Sequence, residues 1–90
     1  MHYVYVLKSR KDNHLYYGYT NDLKGRLTKH QQGKVFATKS RLPVQLIYYE
    51  AYTNELDARR REKYLKGGKG KSELIVQLQE ILAKIHYKNL

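Results

Sequence analysis

Residues 2–20 read HYVYVLKSRKDNHLYYGYT, and the fold turns on how this stretch is taken. From His2 to Lys8 the alternation puts Tyr3, Tyr5 and Leu7 on one face of a strand and Val4 and Val6 on the other. Apolar groups on both faces predict a strand covered on both sides. SRKDNH is polar and turn-forming, with Asp12-Asn13 as its corner, and Leu15 to Tyr19 returns as a second strand. The stretch is a β-hairpin, and its five tyrosines suit it, since the ring packs on a sheet while the hydroxyl stays in water.

Working outward, Thr20 or Asn21 offers an N-cap, and Asp22 sits well at a helix N-terminus. Leu23 and Leu27 form an i, i+4 apolar stripe that Gly33 ends, and Arg26 and His30 make a second i, i+4 pair beside it. KVFATKSRLP follows as a basic loop, and its Pro43 introduces a third strand over Val44 to Tyr52. Asn54-x-x-Asp57 resembles a capping box and opens a helix that runs to Gly67-Gly68. KGGKGKS reads as a linker, and Leu74, Ile75, Leu78, Ile81, Leu82 and Ile85 then mark a last amphipathic helix. The predicted order is β-β-α-β-α-α: an α+β fold with a small, three-stranded, mostly antiparallel sheet flanked by three helices.

Ninety residues suit a single domain, 1–90, whose core holds one sheet or bundle. The absence of cysteine excludes disulfides, thiolate nucleophiles and cysteine-ligated metal sites. No apolar run approaches the ~18 residues of a membrane span, and the chain enters a strand pattern at once, so a cytoplasmic protein is expected. Lys and Arg number 18 against 8 Asp and Glu, a net charge of +10. Such an excess is the electrostatic footprint of a nucleic-acid binder, because docking cations release counterions from a polyanion. A solvated basic surface or a contact with an anionic membrane would carry the same charge.

The spacing of Tyr3-Val4-Tyr5, ten intervening residues and Tyr16-Tyr17-Gly18 resembles the GIY-YIG nuclease superfamily, whose name records two strand triplets of one hairpin. Tyr3 stands where the family usually has glycine, and Tyr17 where it has isoleucine or valine. Arg26 lies where the family has its characteristic arginine, His30 where several members carry a histidine, and Glu62 where the metal-binding glutamate falls. The segments ATKSRLPVQLIYYEAY and RREKYLKGGKGK resemble the small stand-alone bacterial branch, UPF0213-like, related to the N-terminal nuclease domain of the excision-repair endonuclease, excinuclease. The resemblance covers nearly the whole chain.

It implies metal-dependent endonucleolytic hydrolysis of DNA phosphodiesters, with damaged or branched structures as candidate substrates, as in DNA repair. Hydrolysis needs an activated water in line with the leaving oxygen and positive charge on the nonbridging oxygens. By the resemblance Glu62 would ligate one divalent ion, Mg²⁺ or Mn²⁺, with water and phosphate completing the shell. Arg26 would neutralise developing charge with its forked guanidinium. Tyr5 would be the general base or orient the water, which requires nearby cations to lower its pKa. Tyr16 would hydrogen-bond within the site, and His30 would assist proton transfer or bind phosphate. Lys34, Lys39, Arg41, Arg59, Arg60, Lys69 and Lys71 would extend the site along the sugar-phosphate backbone without reading bases. The family often adds an asparagine late in the domain, where Ser72, Gln77 and Asn89 are the polar residues here. A partner protein supplying further DNA contacts is compatible with so small a chain.

Each residue also has an ordinary reading. Tyr5 and Tyr16 suit sheet packing, Arg26 and His30 a solvated helix face, and Glu62 an i, i+4 ion pair with Lys66. A noncatalytic nucleic-acid-binding module that keeps the fold and the basic face is therefore the alternative to the enzyme, and a protein-interaction module is a third.

Overall fold

The computed structural model describes residues 1–89, with side chains through residue 85. Its elements are β1 (His2–Ser9), β2 (Leu15–Thr20), α1 (Leu23–Gln31), β3 (Val44–Tyr52), α2 (Glu55–Lys66), α3 (Gly68–Gln77) and α4 (Gln79–Asn89), with one 3-10 turn at Lys39–Arg41 before β3. The sheet order is β2-β1-β3 and both pairings are antiparallel. The α+β class and the three-stranded sheet are as the sequence predicts.

The central strand owes its place to its two apolar faces. Val4 and Val6 gather with Tyr17, Ala58, Leu65 and Leu74, so that face carries α2 and α3. Tyr5 and Leu7 gather with Val44, Tyr16, Leu23 and Leu27, so the opposite face carries α1. Asn13 takes the hairpin corner at φ 64°, a left-handed conformation that asparagine tolerates. Its side chain accepts from the Lys8 ammonium at 2.6 Å.

β3 departs from simple alternation. Val6 faces Tyr48 while Leu7 faces Leu46, so Ile47 is an extra residue in the ladder. The bulge lets Ile47 and Tyr48, consecutive in sequence, both pack on the Val4–Val6 face. Beyond it Tyr48, Glu50 and Tyr52 share the face toward α2. Both phenols donate to the Glu50 carboxylate, at 2.6 and 2.5 Å, and the Arg61 guanidinium donates to both of its oxygens at 3.0–3.2 Å. Burial alone would raise the Glu50 pKa, but these donors together hold it below the usual carboxylate value.

Three expectations are corrected. The first helix is capped by Asp22, whose carboxylate accepts from the Gly25 amide, and not by Thr20 or Asn21; the Thr20 hydroxyl instead accepts from the Asp22 amide. KGGKGKS is no linker: Gly68 begins α3. The last helical region is two helices meeting at Leu78, so four helices replace the predicted three. Glycine is tolerated there because α3 docks on the end of α2. A Cβ at Gly70 would lie 2.0 Å from the Tyr64 carbonyl oxygen, so close contact and the burial of Leu74 override poor helix propensity.

Candidate active site

The site grows from the cross-strand pair Tyr5 and Gly18. The Tyr5 ring lies directly over Gly18, where an added Cβ would stand 2.4 Å from both Cζ and Oη. Glycine in the second strand triplet is thus a steric requirement for seating the phenol. From α1, one turn apart, Arg26 and His30 reach the same hydroxyl: Arg26 Nε–H donates to Tyr5 Oη at 3.3 Å, and His30 Nε2 lies 2.8 Å from it. Tyr16 completes the group, its ring centroid 6.2 Å from that of Tyr5 and 5.3 Å from that of His30. It also interacts electrostatically with Arg26.

Arg26 can only donate, so Tyr5 Oη accepts from it, while the direction of the bond between Tyr5 Oη and His30 Nε2 follows the imidazole tautomer. His30 Nδ1 lies 2.7 Å from Thr38 Oγ1, a hydroxyl able to donate or accept. Tyr5, His30 and Thr38 are each 0% exposed. Burial depresses the His30 pKa to about 4, helped by the Arg26 charge, so the imidazole is neutral at pH 7. Burial raises Tyr5 to about 12, outweighing the lowering effect of Arg26. The lowered phenol pKa that catalysis by Tyr5 alone demands is therefore absent in the free protein. Arg26 and Tyr16 are half-buried and form the cluster's outward side.

Of the residues singled out by sequence, Tyr5, Tyr16, Arg26 and His30 are brought together, and Arg26 and His30 are no solvated face. Glu62 stands apart from their hydrogen bonds. It lies on α2, across the sheet, with its side chain 19% exposed and Oε2 3.0 Å from Lys66 Nζ, so the ion pair open to it on sequence is formed. Among the described residues no group of three or more His, Asp or Glu side chains could hold a metal. A single carboxylate can serve a hard ion that keeps most of its water, and Glu62 would be that ligand only by exchanging the exposed Lys66 ammonium for the ion.

The basic residues fall in two sets. Lys34 and Lys39 are exposed in the α1–β3 connection, and Arg41 there lies 3.8 Å from Asp12. On the other face Arg59 stacks 4.0 Å over the Tyr19 ring and pairs with Glu55, while the Lys71 ammonium lies 5.7 Å from the Tyr17 ring centroid. Arg60 pairs with Asp57 and, with Lys69, lines a cleft of about 460 Å³. Of the late polar residues, Ser72 bonds the Gly68 carbonyl and Gln77 the Tyr48 hydroxyl, and neither joins the tyrosine cluster. The Asn89 side chain lies outside the described residues. Thr38 and the Glu50 cluster were missed. Thr38 gives no local signal eight residues beyond His30, but Tyr48-x-Glu50-x-Tyr52 has the two-residue period that could have revealed a shared polar face.

A family model described as the GIY-YIG catalytic domain matches residues 1–74. The chain belongs to the GIY-YIG family. Among its relatives, UPF0213 protein SH2523 of Staphylococcus haemolyticus is 46% identical over 66 residues, covering 72% of this chain and 79% of that one. UPF0213 protein CPE1444 of Clostridium perfringens is 45% identical over 67 residues, 73% of this chain and 71% of that one. The solution structure of UPF0213 protein BH0048 of Bacillus halodurans aligns with a TM-score of 0.55 at 34% identity, over 84% of this chain and 83% of that one. This GIY-YIG domain is thus UPF0213-like, with bacterial relatives, in a nuclease-type family. Among its described residues, no helix is long and apolar enough to cross a membrane.

Proposed function

We propose that the protein is a divalent-metal-dependent DNA endonuclease whose reacting centre is the Tyr5–His30–Arg26–Tyr16 cluster. The observation that carries this reading is the hydrogen bond between buried Tyr5 and a neutral imidazole, with a guanidinium on the same oxygen. A binding module needs cations on its surface. It has no need of a buried phenol-to-imidazole path leading inward from a half-exposed arginine.

In the proposed reaction the scissile phosphate meets Arg26, which offsets charge growing on its nonbridging oxygens. The attacking water gives its proton at the Tyr16–Tyr5 hydroxyls, and the Tyr5 proton passes to His30 Nε2. A phosphate beside Arg26 cancels the positive charge that helps keep His30 unprotonated, so substrate binding itself makes the imidazole a better acceptor. In this reaction His30 takes the tautomer with Nδ1 protonated toward Thr38, which leaves Nε2 to accept from Tyr5. When bound at Glu62, Mg²⁺ or Mn²⁺ would supply Lewis-acid stabilisation of charge on the phosphate.

β2 is an edge strand, so the two sheet faces meet along it. A backbone following that edge would be met by Arg26 on one side and by Arg59 and Lys71, above Tyr19 and Tyr17, on the other. These contacts position DNA without reading its bases.

The test is cleavage of labelled duplex, nicked, branched and single-stranded DNA, with RNA alongside, in Mg²⁺ or Mn²⁺ at low salt. Cleavage lost with EDTA and in Glu62→Ala, with DNA affinity equal or slightly raised, is the expected result. Binding without cleavage across the panel would leave the noncatalytic module as the correct reading.

A further inference from the structure

Phe36 is the only phenylalanine of the chain, and at 83% it is the most exposed large hydrophobic side chain among the described residues. Its turn is anchored by buried and hydrogen-bonded neighbours. Val35 and Thr38, on either side, are buried, and the Val35 carbonyl accepts from the amides of both Thr38 and Lys39, at 3.1 and 2.9 Å, which closes a tight turn. Thr38 Oγ1 lies 2.7 Å from His30 Nδ1, so the turn carrying Phe36 is tied directly to the tyrosine–histidine cluster. Lys39 Nζ sits 5.0 Å from the Phe36 ring centroid, and Lys34 is exposed on the other side. From Lys29 to Arg41 the chain has no acidic residue.

A lone exposed ring is ordinary on a protein surface. A ring held out on an anchored turn between cations, beside a cluster that faces a phosphate, has a more specific use. Its flat apolar face matches a nucleobase, and the cations match the phosphates on either side of that base. In continuous duplex every base already has stacking partners, so the ring gains most where one has been lost, at a gap, nick or branch.

We propose that Phe36 is a stacking wedge that recognises an unstacked base next to the cleaved phosphate and so makes this protein selective for interrupted DNA. The inference rests on the nucleic-acid reading above and adds the substrate feature that reading leaves open. A protein partner would find here one exposed ring flanked by lysines, with Asp12 at Arg41 as the acidic group that reaches this connection, and the excess of cations favours the polyanion.

The experiment measures binding by fluorescence anisotropy, in EDTA so that nothing is cut. It compares a duplex with a one-nucleotide gap to the continuous duplex of the same sequence, with 2-aminopurine beside the gap as a stacking reporter. Wild type should prefer the gapped duplex and quench the reporter. Phe36→Ala should lose about tenfold or more on the gapped duplex, the worth of one stacked base, leave continuous duplex binding unchanged and abolish the quench. Phe36→Trp should restore both. Gapped-duplex affinity and quenching that survive in Phe36→Ala would overturn the wedge while leaving DNA binding intact. A wild-type protein that binds neither duplex would overturn the nucleic-acid reading and the wedge with it.

Discussion

Lowering the pH from 7 to 5 should destabilise this protein through one buried imidazole. In the unfolded chain His30 takes up a proton near pH 6.5, whereas in the fold burial and Arg26 hold it to about 4. Between those values only the unfolded state is protonated, so stability falls as pH falls, starting near 6.5 and ending near 4. Each unit crossed costs about 1.4 kcal/mol, and allowing for partial titration at the upper end the loss by pH 5 is about 2 kcal/mol. A marginally stable domain of this size would show that plainly. Urea unfolding followed by circular dichroism, on wild type and His30→Gln at pH 7, 6 and 5, isolates the effect because other titrating groups cancel in the difference. The stability advantage of wild type should shrink by about that amount between pH 7 and 5. A difference that stays flat, or an NMR titration of the His30 ring with a midpoint near 6.5, would refute the buried, neutral imidazole.

Two further substitutions probe the scaffold. Gly18→Ala drives a methyl into the Tyr5 ring, which cannot yield without breaking its bonds to His30 and Arg26; a loss of about 1–3 kcal/mol in urea unfolding is expected, together with impaired cleavage. Glu50→Ala strips Arg61, Tyr48 and Tyr52 of their shared acceptor and should cost about 3 kcal/mol in the same assay, with Glu50→Gln milder. Unchanged midpoints would show that these contacts contribute little.

The hairpin was legible because two short β-rich runs, Tyr3–Leu7 and Leu15–Tyr19, flank the polar turn SRKDNH, and β3 was legible because Pro43 and the capping pattern at Asn54 bracket a β-rich run. The capping pattern at Asn54 likewise marks α2, where Asn54 Oδ1 accepts from the Leu56 amide. What escaped depends on contacts distant in sequence. KGGKGKS is helical only because Gly70 fits against Tyr64, and the bulge at Ile47 puts two neighbouring side chains on one core face. Of the candidate site, Tyr5, Tyr16, Arg26 and His30 were gathered by the match of their joint spacing to the GIY-YIG pattern; on residue type alone each kept an ordinary reading. Spacing could not show that Tyr5 and His30 are wholly buried, which turns the expected pKa direction of Tyr5 upward. Nor could it show that α2, which carries Glu62, packs on the face of the sheet opposite α1, since that depends on which apolar face of β1 each helix covers.

The most direct test of the reacting centre is single-turnover cleavage at saturating protein, comparing wild type with Tyr5→Phe and Arg26→Ala and measuring DNA affinity in parallel. Tyr5→Phe keeps the ring over Gly18 and removes only the oxygen that joins Arg26 to His30, so the cleavage rate should fall by at least about 100-fold, the usual worth of a positioned proton acceptor, with affinity unchanged. Arg26→Ala should lose both rate and some affinity. A Tyr5→Phe protein that cuts DNA at the wild-type rate would contradict the assignment.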